Sequence, residues 1–213
     1  SHSTRHEPPL NAQRIAGDYA SLFSSRAFLG YTLSGGLAMA GMFAYIAGSP
    51  LVLIQLGGIA PQHFGWAFGI NALGFVAASQ LNARSLKTIA PTRMLRRALW
   101  LPALAGLTLL GLTLSGLANL PLTLLLMFVY VSSLGFIAPN ASASALATFG
   151  QRAGTASALM GALQFGLATL TGIGISQLHD GTARPLALLL AVCGVSAWVL
   201  HRWLVHPQDR HLR

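Results

Sequence analysis

Six apolar runs, each long enough to cross a lipid bilayer, constrain the fold of this chain more than any other feature. A membrane-spanning helix needs about 20 mostly apolar residues. Only 8% of the residues are charged, against about 25% in an ordinary soluble domain, so the chain lacks the polar surface of a soluble fold. The sequence therefore predicts an all-α membrane protein with six transmembrane helices. The spans are expected at about 28–47, 62–81, 95–115, 120–138, 153–176 and 186–205.

Helices account for these runs better than strands do. Ala, Leu and Gly dominate the runs, and the alternation of period two that marks a transmembrane barrel is missing from them. A helix also pairs its backbone polar groups within one segment, as lipid requires. The first span is expected to stop at Gly48-Ser49-Pro50, with a short apolar stretch following at Leu51–Leu56.

The basic residues are distributed very unevenly between the two sides of the membrane. If the connecting segments alternate between sides, all of the 13 Lys and Arg residues except Arg184 fall on one side. Cytoplasmic loops carry such an excess of positive charge. We therefore expect both termini in the cytoplasm, with residues 1–25 as a linker, residues 26–206 as the bundle and residues 207–213 as a tail.

The sequence lacks the residues that characterise several functional classes. The basic residues are not interleaved with aromatic ones as in single-strand binders, so we expect no nucleic-acid partner. The histidines do not pair at metal-ligand spacing inside a span, and no catalytic motif or pair of carboxylates occurs. We expect no metal, no cofactor and no enzymatic activity. The acidic residues Glu7, Asp18, Asp180 and Asp209 all lie outside the spans.

Uncharged polar and aromatic side chains within the spans are the candidate substrate-binding residues. Polar groups in the membrane are costly and face a cavity or another helix, so the carboxamides either line a cavity or tie helices together by hydrogen bonds. The aromatic rings either stack on a flat apolar ligand or pack in the core. The candidates are Asn71, Gln164, Tyr130, Phe43, Tyr45 and Phe165.

The fifth span carries a stripe of small residues with a spacing of four. Gly154, Ala158, Ala162 and Gly166 share one helical face. Because small residues let helix backbones approach closely in lipid, we expect close helix packing along this stripe.

The loop between the second and third spans is basic and admits two interpretations. Its residues are Asn82, Arg84, Arg93, Arg96 and Arg97. The charges either serve only to set topology or form a conformational latch, pairing with helix C-termini or carboxylates of a neighbouring bundle in one state.

Five short motifs are spread through the chain: GGLAMAGMFAY at 35–45, FGINA at 68–72, SQLNAR at 79–84, PNA at 139–141 and GTASA at 154–158. As a set they resemble the C-terminal half of the Bcr/CflA-type multidrug efflux transporters of the major facilitator superfamily. The resemblance covers residues 23–205. One departure is that Asn82 or Ala83 stands where the superfamily's basic loop motif has an acidic residue, which weakens the latch interpretation.

The resemblance implies half of a twelve-helix fold, built from two inverted three-helix repeats. It implies a bacterial inner-membrane exporter of small amphipathic drugs that works by proton antiport and alternating access. Spans one, two, four and five would face the substrate cavity, and spans three and six would be peripheral. Since these spans hold no acidic residue, protons would pass through the missing N-terminal half.

Two other functions remain open from the sequence. The chain is either a self-sufficient six-helix protein with a structural or channel-like role as a homodimer, or an inactive truncated remnant.

Overall fold

The computed structural model describes residues 12–147 and 149–205, and this part of the chain is helical with no strands. A π-helical segment, Leu51–Leu56, follows α2, and a 3₁₀ turn, Gly150–Arg152, precedes α7. The all-α fold with six segments long and apolar enough to span a membrane is confirmed. The α-helices are α1 (Ala12–Ser24), α2 (Arg26–Pro50), α3 (Pro61–Ser85), α4 (Pro91–Ala98), α5 (Trp100–Leu114), α6 (Leu120–Leu146), α7 (Ala153–Gln177) and α8 (Arg184–Leu204).

Prolines shape two of the spans without ending them. The expected stop at Gly48-Ser49-Pro50 is wrong, because α2 passes through Pro50 and continues as the π-helical segment to Leu56. Likewise α6 passes through Pro139 and ends only at Leu146. Proline lacks the N–H that would bond to the residue four before it. In a membrane bundle that loss is tolerated because neighbouring helices and local π geometry compensate for it.

Pro102 explains why the third span consists of two helices, α4 and α5. Pro102 cannot donate to the carbonyl of Ala98, and the regular pattern is interrupted at Leu99, between α4 and α5. The Leu99 backbone stays in the helical region, with φ −62° and ψ −18°. The segment Pro91–Leu114 is therefore long and apolar enough to cross the membrane as one span.

The helix contacts follow a twofold pattern. One repeat consists of α2, α3 and the α4–α5 span, and the other of α6, α7 and α8. The second helix of each repeat packs on the first helix of the other, the third helix does the same, and α5 packs against α8. Because each repeat crosses the membrane an odd number of times, the second starts on the side opposite to the first. The prediction of two inverted three-helix repeats is confirmed.

Glycines allow the closest approaches between helices in this pattern. A Cβ atom on Gly106 of α5 would lie 2.7 Å from the carbonyl oxygen of Leu190 in α8. A Cβ atom on Gly194 of α8 would lie 2.5 Å from the carbonyl oxygen of Pro102 in α5. The third helices of the two repeats therefore meet backbone to backbone, as small residues permit in lipid.

The second helices of the repeats, α3 and α7, are the least covered. Only 11% of the apolar stretch of α3 and 22% of that of α7 are buried, against 39–50% in the other four spans. The exposed side of α3 carries large apolar residues, including Trp66, Ile70 and Leu73. Lipid or another protein surface must cover these faces.

The chain before the first span also contains a helix. Helix α1 lies within residues 1–25, and its Leu22 is fully buried. Arg152, just before α7, donates a hydrogen bond of 3.4 Å from Nη1 to the hydroxyl of Ser21. This helix therefore rests on the bundle, while the rest of the expected linker, residues 1–11, and the expected tail, residues 207–213, lie outside the described residues.

Candidate functional site

Two of the candidate substrate-binding residues, Tyr45 and Asn71, are joined by a direct hydrogen bond. Asn71 of α3 donates from Nδ2 to the hydroxyl oxygen of Tyr45 in α2 over 2.7 Å. The ring of Phe68, one turn before Asn71, stacks on that of Tyr45 with centroids 5.5 Å apart and planes 19° apart. Both bonded residues are buried, with 2% of Tyr45 and 3% of Asn71 exposed.

The hydrogen bond between Tyr45 and Asn71 does not use all of the donors and acceptors of the two side chains. A phenol hydroxyl is both donor and acceptor, so Tyr45 retains its own proton for another acceptor while accepting from Asn71. The carboxamide of Asn71 retains its oxygen and a second N–H. The pair therefore ties α2 to α3, and its remaining donors and acceptors are uncharged.

We expect the Tyr45–Asn71 bond to contribute measurably to stability. Such interhelical bonds average about 0.6 kcal/mol and reach about 1.7 kcal/mol in membrane proteins. In a double-mutant cycle of Tyr45→Phe and Asn71→Leu, the free energies of unfolding should therefore show a coupling of about 0.5–1.5 kcal/mol. The measurement is thermal unfolding in detergent of the single and double variants. Strictly additive losses would show that the two side chains act independently.

Tyr130 is a core residue of the bundle. It is 1% exposed, and its hydroxyl donates to the carbonyl of Ala38 in α2 over 3.3 Å. Its ring and hydroxyl occupy the space that a Cβ atom on Gly41 would need. Tyr130 thus packs α6 against α2. This contact favours the interpretation that its ring packs in the core over the interpretation that it lines a cavity.

Gln164 and Phe165 lie on the little-covered helix α7. Gln164 is half-buried, and its Cγ would be 3.2 Å from a Cβ on Gly36 of α2. Phe165 is 68% exposed. Further along α7, the hydroxyl oxygen of Thr171 lies 2.8 Å from the carbonyl oxygen of Ala168 in its own helix and 3.1 Å from that of Ala40 in α2. Phe43, the remaining candidate, is half-buried on α2.

The candidates therefore divide by position rather than forming one cluster. Tyr45 and Asn71 are in contact between α2 and α3, Tyr130 lies between α2 and α6, and Gln164 faces α2 from α7. A small pocket elsewhere in the bundle shares no residue with the candidates, since it is lined by residues such as Thr113, Thr123, Met127 and Leu186. The binding role of the candidates stays a prediction.

The small-residue stripe of the fifth span lies on the exposed side of α7. Gly154, Ala158, Ala162 and Gly166 are all exposed, and a Cβ atom on either glycine would meet nothing within 4 Å. No described helix packs on these glycines. Close packing along this stripe therefore stays a prediction about a surface outside the six-helix bundle.

The basic loop residues are split between buried and exposed positions. Asn82 is 2% exposed and accepts a hydrogen bond of 2.7 Å at Oδ1 from Nδ2 of Asn140 in α6. Arg84, Arg93 and Arg97 are exposed, and Arg96 is half-buried. These residues lie at the end of the bundle where α3 ends and α4 begins, called here the basic end.

Sequence reasoning gave no role to two residues that the structure singles out. Asn140, which follows Pro139, is fully buried and pairs with Asn82. The sequence signal for this pair was the presence of a carboxamide near the end of each of the two spans. His201 of α8 is 2% exposed and lies against the ring of Tyr31 in α2, with ring centroids 5.9 Å apart. No sequence signal indicated this contact, because a helix end does not reveal which neighbour covers it.

Comparisons with known proteins are consistent with this architecture. The chain is 29% identical over 204 residues to a bicyclomycin resistance protein homolog of Haemophilus influenzae, covering 96% of this chain and 51% of that protein. It is 33% identical over 179 residues to the uncharacterized MFS-type transporter YdgK of Bacillus subtilis, covering 82% of this chain and 43% of that protein. A shorter match of 102 residues, 29% identical, covers 48% of this chain and 25% of the multidrug resistance protein MdtM of Escherichia coli O157:H7.

The chain spans about half the length of the curated relatives that it matches over most of its own length. No protein-family model and no solved structure matches it. The repeat architecture and these relatives identify the chain as a six-helix, half-length member of the major facilitator superfamily, a multi-pass membrane protein. The two resistance proteins among these relatives agree with the resemblance of the chain to the Bcr/CflA-type transporters.

Proposed function

We propose that this chain is one half, the C-terminal one, of a secondary active exporter of small amphipathic drug-like molecules in the bacterial inner membrane. One observation carries the proposal. The two helices with the least covered faces, α3 and α7, are the equivalent second helices of the two repeats. A second six-helix unit that covered both would complete a twelve-helix transporter whose length matches that of the relatives.

The helix contacts suggest where the substrate cavity would lie. Because α5 packs against α8, these two peripheral helices occupy one side of the bundle. The opposite side is formed by α2, α3, α6 and α7, which are the four spans predicted to face the cavity. Alternating access would then arise from rocking of the two six-helix units about this surface.

Side chains on this side of the bundle suit an uncharged amphipathic substrate. The Tyr45–Asn71 pair would offer a phenol proton and a carboxamide oxygen, and Gln164 a second carboxamide. Phe165, exposed on α7, and Phe43 would supply apolar surface for an aromatic or aliphatic group. Tyr130 would support this site from the core by holding α6 against α2 rather than by touching the substrate.

Proton coupling would reside in the other half of the transporter. The sequence has no Asp or Glu within the six spans. Asp180 lies exposed in the loop between α7 and α8, where the hydroxyl of Thr182 at 2.6 Å and its N–H at 2.8 Å lower the pKa of the carboxyl. Asp180 therefore stays ionised at neutral pH and is a poor proton carrier.

Orientation and the latch complete the proposal. The basic end, at which α2 begins and α8 ends, would face the cytoplasm by the positive-inside rule, and so would both termini. If this end forms a latch, Arg84 would be the residue that contacts the other half of the transporter. Asn82 would not, because it already forms a hydrogen bond with Asn140.

Replacing Gln164 by alanine tests whether the surface of α7 binds substrate. We expect Gln164→Ala in the natural-length protein to lower drug tolerance of the host cells at least fourfold, because a lost hydrogen bond of about 1 kcal/mol alone gives a fivefold change in affinity. Minimum inhibitory concentrations at matched expression provide the measurement. The control is Gln62→Ala, which removes an exposed carboxamide from the first turn of α3. Unchanged tolerance with Gln164→Ala would favour a helix-packing role for this side chain.

A further inference from the structure

A stripe of exposed residues runs along the span formed by α4 and α5, on the peripheral side of the bundle. Arg93, Arg97, Trp100, Leu101 and Leu104 are all exposed, and their spacing of three or four residues places them on one helical face. Along this face, charge gives way to tryptophan and then to leucine. That order matches a helix surface passing from the lipid headgroups into the hydrocarbon, with tryptophan at the boundary.

Helix α8 adds a third cation to this surface. The rings of Trp100 and Trp198 lie 4.6 Å apart, and the guanidinium carbon of Arg202 lies 5.9 Å from the centroid of the Trp198 ring. Arg202 is exposed, and so is its neighbour Trp203, at 78%. The contact between the two indole rings therefore joins the cationic ends of two helices into one surface.

Carboxylates are missing from the sequence around this surface. Residues 19–179 and 181–208 contain no Asp or Glu. The arginines of α4 and α8 therefore have no acidic partner on their own helices or on the spans that pack against them. The positive-inside rule accounts for the sign of this charge. It does not account for the position of three arginines beside a tryptophan pair on the peripheral side of the bundle.

We propose that this surface, made of Arg93, Arg97, Trp100, Trp198 and Arg202, binds the headgroup of an anionic phospholipid. Guanidinium groups bind phosphate oxygens with two parallel hydrogen bonds. Indole rings favour the interfacial level of the membrane, and their N–H groups donate hydrogen bonds there. Leu101 and Leu104 continue the stripe as apolar surface for an acyl chain. This site is independent of the transport function, since it lies on the peripheral helices.

Fluorescence quenching by brominated lipids tests the site in the protein at its natural length. The probes are brominated phosphatidylglycerol and brominated phosphatidylcholine, each mixed into otherwise identical vesicles. We expect half-maximal tryptophan quenching at a several-fold lower mole fraction of the anionic probe. The double variant Arg97→Gln/Arg202→Gln should lose most of that preference. The single variant Arg202→Gln should show a partial loss, which keeps the test valid if the double variant fails to fold.

Arg84→Gln is the matched control, because it removes the same charge from an exposed position at the basic end but on α3. The anionic preference should survive in this variant. An equal loss in Arg84→Gln and Arg202→Gln would show that only diffuse topology charge attracts the lipid, and the proposal would fall. Absence of any preference in the unaltered protein would overturn it as well. So would abolition of the preference by millimolar inorganic phosphate at constant ionic strength, which would indicate a site for soluble anions.

Discussion

Gly106→Ala should destabilise the bundle by about 1–3 kcal/mol, the usual cost of overpacking a closely packed site. The new Cβ atom would lie 2.7 Å from the Leu190 carbonyl oxygen and 2.8 Å from the backbone N and Cα of Ala191. These are backbone atoms of α8, so no side-chain rotation relieves the contact, and α5 and α8 must separate. Thermal unfolding of the purified protein in detergent, followed by circular dichroism, provides the measurement.

Gly111→Ala is the control for this experiment because it lies in the same helix with nothing within 4 Å of the new Cβ. Alanine in a helix is favoured over glycine by about 1 kcal/mol, so the control should unfold at the same temperature as the unaltered protein or slightly above it. Only Gly106→Ala is thus expected to lower the unfolding temperature. Equal unfolding temperatures for the two variants would mean that α5 and α8 do not approach closely at Gly106.

Hydropathy and helix length were sufficient to predict the number of spans and the class of fold. A bilayer imposes its thickness on every segment, so the spans are properties of single stretches of sequence. Their ends are less determined where proline occurs. A soluble helix is expected to stop at Pro50 or Pro139, but in lipid a helix that stops exposes unpaired backbone groups, and continuation through the proline is less costly.

Contacts between spans were much harder to predict, because they depend on which faces meet. The stripe of Gly154 and Gly166 has ideal spacing for close packing, yet it faces away from the bundle. Close approaches to a neighbouring backbone occur instead at Gly106, Gly135 and Gly194, none of which has a small residue four positions before or after it. Spacing within one helix shows that a smooth face exists, but only the partner helix determines whether that face is used.

The candidate site shows the same limit. Asn71 and Tyr45 were each selected as polar residues in the membrane, but nothing in the sequence indicated that they bond to each other across α2 and α3. Tyr130 was selected by the same criterion and is instead a core residue filling the space beside Gly41. Depth in the membrane identifies polar residues that need a partner, and the fold decides whether the partner is a helix or a ligand.

Vesicles reconstituted with these 213 residues alone should show no proton-driven drug transport, whereas the natural-length protein should show it. The six spans contain no carboxylate to carry the proton, and the surface formed by α2, α3, α6 and α7 would be only one wall of the cavity. Drug-dependent proton flux, followed with a pH-sensitive dye inside the vesicles, is the readout. Circular dichroism must show a folded six-helix chain, so that inactivity is not a consequence of misfolding.

Adding back a separately expressed second half should restore transport, because the exposed faces of α3 and α7 would then be covered. Robust antiport by the six-helix chain would instead establish it as self-sufficient, and a dimeric mass in mild detergent would then identify a second copy of the chain as the unit that covers those faces.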